Sequence, residues 1–320
     1  MLDGGDVSSH ALIVLAIRCA GKGWTDERVQ AVKPSQRLRR VVLRLLLPVD
    51  TLGPMATNAR NPHVVIVGGF LTEALQYGPM RERLLAAGAE RVTIAPIHLP
   101  DWGVMGLVGM GPLLLRGAHA IVEARKAAPD PIIVVGHSMG GLVARLATCE
   151  EPLDGRRAAV ADDIGALVTL GTPHAFAPRI RRHHAGVRAA EHLARYCPDG
   201  HFAPQTAYLT VGSRFVRAGR RAPTRTVVQL LNRVLRDLVG ETSGVAGDGL
   251  IGADRCRLHG VRHIELDDTL HGLIYGPWYG DEQAIERWWP AAVEEWRGAL
   301  DARAAESEGR HGFRTGPVAA

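Results

Sequence analysis

One serine lies between glycines, at the point where an apolar run gives way to a helical pattern. The segment reads PIIVVGHSMGGLVARLA over residues 131–147, and its serine is Ser138. A strand that turns directly into a helix pushes the turn side chain outward, and small residues two positions away prevent clashes. Gly136 and Gly140 occupy those positions. The pattern predicts a nucleophile at a helix start, where the Met139 backbone N–H can stabilise a developing oxyanion.

Two later segments offer the partners that a nucleophilic serine needs. A serine hydroxyl attacks poorly unless a histidine takes its proton and an acid orients that histidine. Asp248 lies between two glycines in SGVAGDGLIGADRC, and His271 follows the strand-like RHIELD in DDTLHGLIYG. The chain order serine, acid, histidine, with the last two on late loops, suits a site at one rim of a parallel sheet.

Other residues compete for both roles. His263 falls inside a strand pattern and His259 precedes it, whereas a base must lie on a loop past the strand end to reach the hydroxyl. We therefore favour His271. Flanking glycines suggest a tight turn that presents the Asp248 carboxylate, so we favour Asp248 as the acid. The competing acids are Asp237, Glu241 and Asp254.

The elements that must position these residues form a regular alternation from His63 onward. Short apolar, β-branched runs are separated by helical patterns, which predicts an α/β fold with a mostly parallel central sheet and helices on both faces. The predicted strands are HVVIV (63–67), RVTIAP (91–96), IIVV (132–135), ALVTLG (166–171), AYLTVG (207–212) and RHIELD (262–267).

Two segments interrupt the alternation. The Gly-rich LPDWGVMGLVGMG predicts a loop over residues 99–111, and an Arg- and His-rich stretch predicts a cap or lid insertion over about 174–205. Insertions at strand ends of open sheets commonly meet substrates, so we expect these segments to wall a pocket for an apolar acyl chain. The predicted pocket residues are Leu71, Trp102 and His137.

The two ends of the chain are predicted to lie outside the main domain of residues 63–300. Residues 1–62 form an N-terminal extension, and residues 301–320 a polar, flexible tail. Within the extension, residues 37–47 place apolar side chains on one helical stripe among arginines. Such a basic amphipathic helix either packs against its own domain, which we favour, or contacts a membrane surface.

Composition narrows the class of protein. The 320 residues are 46% hydrophobic, enough to bury a sizeable core. The net charge of +5 comes mostly from arginine, and 5% aromatic content offers little for bases to stack on, so we expect no nucleic-acid partner. No apolar run approaches the roughly 18 residues of a spanning helix, and no secretory signal pattern is seen. We therefore expect a cytoplasmic protein.

The four cysteines are far apart and lack C-x-x-C spacing, which argues against a zinc ribbon. We expect free thiols, with a single disulfide bridge as the alternative, and neither a metal nor a cofactor.

The motifs GHSMGG, LVTLGTPH, GDGLI and the terminal LHG, in this order, resemble those of bacterial triacylglycerol lipases and related esterases of the α/β-hydrolase superfamily. The resemblance covers about residues 63–296. It implies a catalytic triad of Ser138, Asp248 and His271. These enzymes usually have histidine and glycine after the first core strand, and the next residue donates the second oxyanion N–H. Here the segment is VGGF, with Gly68 at the histidine position, so the implied donor is Phe70.

These observations together predict a cofactor-independent serine hydrolase that cleaves small-molecule or lipid carboxylic esters through an acyl-enzyme. The same side chains could instead serve an acyltransferase or a thioesterase. A third hypothesis is a non-catalytic binding protein on the same scaffold, whose basic insertion recognises an anionic partner.

Overall fold

Among the described residues, six parallel strands form one sheet in the order β2-β1-β3-β4-β5-β6. The structure, a computed structural model, describes residues 61–176, 184–216, 246–272 and 276–312. The strands are β1 (His63–Val67), β2 (Arg91–Ile94), β3 (Ile132–His137), β4 (Ile164–Leu170), β5 (Ala207–Ser213) and β6 (Arg262–Leu266). The predicted α/β fold with a mostly parallel sheet is confirmed.

Helices cover both faces of this sheet. Side chains of β1 alternate between two apolar cores, Val65 and Val67 in one and Val64 and Ile66 in the other. The first core lies under α2 to α5, and the second lies under α1 and α6. The described helices are α1 (Gly78–Ala86), α2 (Leu99–Val108), α3 (Gly111–Lys126), α4 (Met139–Thr148), α5 (Ala185–Tyr196) and α6 (Glu282–Gly312).

The predicted loop over residues 99–111 is wrong, because most of it forms α2. The backbone N–H of His98 donates to Asp101 Oδ2 at 2.9 Å, which caps the helix start. Pro100 lies in the first turn, where the missing N–H costs nothing. Trp102 and Met105 then bury their side chains in the first core. This burial outweighs the low helix propensity of the glycines.

The last helix continues past residue 301, where the flexible tail was expected to begin. Arg303 on α6 donates to four carbonyl oxygens, those of Gln205 at 2.6 Å, Asp162 at 3.0 Å, Ile164 at 3.0 Å and Ala161 at 3.3 Å. These bonds fasten the helix to the ends of β4 and β5. These hydrogen bonds to distant segments explain why the helix extends beyond residue 301.

Several predictions concern residues that the structure does not describe. The N-terminal extension, its amphipathic segment over 37–47, and the tail over residues 313–320 lie outside the described residues. Among the helices that are described, none combines the length and the hydropathy needed to cross a membrane.

Candidate active site

Ser138 lies on the sharp turn between β3 and α4. Its backbone adopts φ 54° and ψ −129°, a strained conformation for a residue other than glycine. The Ser138 N–H donates to the Leu170 carbonyl at 2.8 Å. A Cβ at Gly136 would lie 2.5 Å from the Gly141 Cα, and one at Gly140 would clash with the Val67 carbonyl oxygen. The strand therefore approaches the helix as closely as the glycine pattern predicts.

The serine hydroxyl is hydrogen-bonded to the predicted histidine, which is in turn hydrogen-bonded to the predicted acid. The His271 Nε2 lies 2.9 Å from Ser138 Oγ, and the His271 Nδ1 lies 2.8 Å from Asp248 Oδ2. All three residues are buried. A carboxylate only accepts hydrogen bonds, so Nδ1 carries the ring proton and Nε2 offers its lone pair to the hydroxyl. This geometry allows the histidine to remove the serine proton.

Asp248 is held as a carboxylate by four donors. Its Oδ1 accepts the backbone N–H groups of Leu250 at 3.0 Å and Ile251 at 2.8 Å. Its Oδ2 accepts the Tyr279 hydroxyl at 2.8 Å besides the His271 ring. Burial raises the pKa of Asp248, but His271 and the two backbone donors more than offset that effect and leave this pKa below its ordinary value.

Tyr279 is a site residue that no sequence pattern pointed to. It is fully buried, and burial together with the negative charge of Asp248 raises the pKa of its hydroxyl well above the ordinary value. The hydroxyl therefore stays protonated and donates to Asp248. Tyr77 was missed as well, and it lies beside the loop that follows β1 (residues 68–72), here called the oxyanion loop.

The two predicted oxyanion donors belong to segments next to the serine. Met139 is the first residue of α4, at the positive end of the helix dipole. A Cβ built at Gly69 would lie 2.9 Å from the Ser138 Cβ, so the oxyanion loop touches the serine. Among the described residues, neither the Phe70 nor the Met139 backbone N–H meets a hydrogen-bond acceptor. Both groups are thus available to a ligand.

The predicted pocket residues occupy three different environments. His137 packs inside the protein, where only 2% of the residue is exposed and both ring nitrogens are hydrogen-bonded. Trp102 is also buried and lies with its ring 5.7 Å from that of Phe70, in an edge-on contact, so it supports the oxyanion loop from below. Leu71 is 36% exposed and lies at the surface beside the site.

The competing histidines lie elsewhere. His263 is on β6, where its Nδ1 pairs with Thr210 Oγ1 at 2.8 Å, and burial lowers its pKa to about 4. His259 is exposed.

The competing acids are not at the site either. Asp254 is exposed and forms an ion pair with Arg214 at 2.7 Å. Asp237 and Glu241 lie outside the described residues. Over the described ranges, no group of three His, Cys, Asp or Glu side chains is arranged to hold a metal ion.

Part of the predicted cap insertion lies against α4. Within it, α5 packs its Gly186 so closely that an added Cβ would lie 2.7 Å from the Met139 Cε and 3.1 Å from the Phe176 ring. Residues 177–183 of the insertion lie outside the described residues. The described part of the insertion therefore forms one wall next to Met139.

A buried histidine near this wall makes stability depend on pH. Burial, and then the positive charge of Arg145, hold the pKa of His174 well below its ordinary value. His174 is neutral when folded, but the unfolded chain binds a proton there below about pH 6.5. The free energy of unfolding should therefore fall as pH drops below 6.5, with His174 contributing up to about 1.4 kcal/mol per pH unit.

Urea denaturation at pH 7.5, 6.5, 5.5 and 5.0 measures this slope. We expect His174→Asn to make the slope shallower and the exposed-residue control His201→Asn to leave it unchanged. Equal slopes for wild type and His174→Asn would contradict the prediction.

Comparisons with known proteins agree with this fold. A PGAP1-like alpha/beta domain family matches residues 114–199. The propeptide form of Bacillus licheniformis lipase BlEst2 is 14% identical with a TM-score of 0.50, over 73% of this chain and 50% of that chain. This chain thus spans about half the length of that form. The mature form is 15% identical with a TM-score of 0.46, over 75% of this chain and 93% of that one.

A structure described as LipS and LipT, two metagenome-derived lipolytic enzymes, is 14% identical with a TM-score of 0.39, over 73% of this chain and 93% of that one. No curated protein matches the chain in a sequence comparison. The parallel sheet, the sharp serine turn and the family match together show that this chain has the α/β-hydrolase fold and resembles bacterial lipases and esterases.

Proposed function

We propose that this protein is a serine hydrolase that cleaves carboxylic esters through an acyl-enzyme. The observation that carries the proposal is the hydrogen-bonded chain from Ser138 Oγ to His271 Nε2 at 2.9 Å and from His271 Nδ1 to Asp248 at 2.8 Å. This arrangement activates a serine that is otherwise a weak nucleophile.

The reaction proceeds in two halves. Ser138 Oγ bonds to the acyl carbon while His271 Nε2 takes its proton, and Asp248 stabilises the resulting imidazolium. The oxyanion accepts hydrogen bonds from the Phe70 and Met139 N–H groups. When the ester C–O bond breaks, His271 returns the proton to the leaving alcohol. Water then loses a proton to His271 as it attacks the acyl carbon. When the bond between that carbon and Ser138 Oγ breaks, His271 returns the proton to Oγ, and the acid leaves.

The surface beside the site favours esters with apolar acyl chains. Leu71 is 36% exposed, and α2 presents Val104, Leu107 and Val108 to solvent at 44%, 87% and 53%. These side chains are on the same helix as Trp102, whose ring contacts Phe70 edge-on. Apolar surface of this kind gains free energy when a hydrocarbon chain covers it, about 25 cal/mol per Å².

The experiment combines covalent labelling with a substrate series. A fluorophosphonate probe should label Ser138, and hydrolysis of p-nitrophenyl esters should rise from acetate to octanoate as the acyl chain gains apolar area. Absence of both labelling and hydrolysis would instead support a non-catalytic binding protein. Faster turnover of matched thioesters, or an acylated alcohol product, would support the thioesterase or acyltransferase reading.

A further inference from the structure

A buried tyrosine occupies the place beside Gly68, where the resemblance led us to expect a histidine. Tyr77 is fully buried, and a Cβ added at Gly68 would lie 2.7 Å from its Cε2 atom. The Tyr77 hydroxyl lies 2.7 Å from the Gly69 backbone nitrogen and 2.8 Å from the His137 Nδ1. The missing side chain at position 68 is therefore what makes room for this hydroxyl behind the oxyanion loop.

The direction of each hydrogen bond follows from the chemistry of its partners. The His137 Nε2 lies 3.0 Å from the His271 carbonyl oxygen, which can only accept, so Nε2 carries the proton. Burial, and then the neighbouring His271, lower the pKa of His137 to about 3, so the ring is neutral and Nδ1 is an acceptor. The Tyr77 hydroxyl therefore donates to Nδ1 and accepts from the Gly69 N–H.

Thr72 binds the Gly69 carbonyl and does not compete with the Gly69 N–H for the Tyr77 oxygen. Its Oγ1 donates to the Gly69 carbonyl at 2.6 Å, and a hydroxyl has a single proton to give. The Tyr77 oxygen, 3.4 Å from Thr72 Oγ1, keeps the Gly69 N–H as its close donor. Both backbone polar groups of Gly69 are thus hydrogen-bonded, and its carbonyl belongs to the same peptide unit as the Phe70 N–H.

The hydrogen bonds from Gly69 through Tyr77 and His137 to the His271 carbonyl are here called the relay. The relay connects the oxyanion loop with the segment that carries the base. One end holds the peptide that precedes Phe70, and the other holds the carbonyl of His271. We propose that Tyr77 and His137 are positioning residues that fix the distance between the oxyanion hole and the base. This inference rests on the proposed function, because a positioning role requires that the site is catalytic. Neither side chain touches the substrate or the reacting atoms.

The relay should affect turnover more than binding. Tyr77→Phe keeps the ring and its edge contact with Trp278 at 5.9 Å, but it leaves the Gly69 N–H and the His137 Nδ1 without partners. The oxyanion hole is needed mainly in the transition state, so we expect kcat to fall about 10- to 100-fold with KM within about twofold. Tyr208→Phe, at a buried tyrosine on β5, is the matched control and should keep kcat unchanged.

Variants at the other end of the relay test whether it acts as one unit. His137→Gln retains an acceptor and a donor and should keep more activity than His137→Leu, which retains neither. Tyr77→Phe combined with His137→Leu should lower kcat little more than either change alone, because each already breaks the relay. All rates are expressed per active site titrated with the fluorophosphonate, so that unfolded molecules do not count.

The outcomes separate this inference from the proposed function. If Tyr77→Phe and His137→Leu show wild-type kcat per titrated site while the wild-type enzyme hydrolyses esters, the relay has no positioning role and only the inference fails. Additive losses in the double variant would also overturn it. If wild-type protein neither reacts with the probe nor cleaves esters, the proposed function itself fails.

Discussion

Ser138→Ala should lower kcat for ester hydrolysis by about 10⁵-fold or more and abolish fluorophosphonate labelling. The substitution removes the atom that bonds to the acyl carbon, while the remaining oxyanion donors can still polarise a bound ester. The Ser138 side chain contacts His271 through one hydrogen bond, whereas its backbone is held by the Leu170 carbonyl. Alanine preserves that backbone bond and adds no bulk, so we expect the fold to persist.

Two measurements check this expectation. Urea denaturation should give a free energy of unfolding within about 1 kcal/mol of wild type, because the lost hydrogen bond is worth about that much. Kinetics with p-nitrophenyl butyrate should show turnover at least 10⁴-fold below wild type, a margin that allows for trace contamination. Substantial activity in a well-folded Ser138→Ala protein would show that another residue is the nucleophile.

Asp248→Asn should lower kcat by about 10⁴-fold, because it reverses the hydrogen bond to the histidine. The backbone N–H groups of Leu250 and Ile251 require an acceptor at the Oδ1 position, so the amide oxygen must face them. The amide NH₂ then faces His271 Nδ1 and donates to it. The ring proton moves to Nε2, which faces Ser138 and can no longer accept its proton.

Steady-state kinetics on two further variants test whether the loss of kcat comes from the Asp248 carboxylate itself. Asp254→Asn changes the exposed acid that competed for the role in the sequence and should leave kcat unchanged. Tyr279→Phe removes one donor from Asp248 Oδ2 but keeps the carboxylate, so we expect only about a tenfold loss. A Tyr279→Phe loss as large as that of Asp248→Asn would argue that the hydroxyl, and not the carboxylate, controls the base.

The nucleophile turn and the strands could be predicted from local patterns. Buried strands read as apolar β-branched runs because both faces of a parallel sheet are covered. The glycines around Ser138 could be interpreted because each lies where backbone approaches backbone, as the contact at Gly136 shows. Flanking glycines favoured Asp248 and the loop position past a strand favoured His271, and a chain of hydrogen bonds joins both to the serine.

Local patterns did not predict the environment of residues that contact distant parts of the chain. His137 adjoins Ser138, so adjacency suggested a pocket role. However, it is the last residue of β3 and points to the same sheet face as Val135, toward Tyr77 and Trp278. In the same way, the glycines of 99–111 indicated a loop, but burial of Trp102 made a helix there.

The strands, the serine turn and the order of its partners follow from the sequence itself, because they arise from sterics and hydrophobic periodicity among neighbouring residues. Tertiary packing alone decided that Tyr77 and Tyr279 serve this site. Their hydroxyls reach Gly69 and Asp248 across segments distant in the chain. No spacing encodes such contacts, because the partner of a buried hydroxyl is set by which loops the folded sheet brings together.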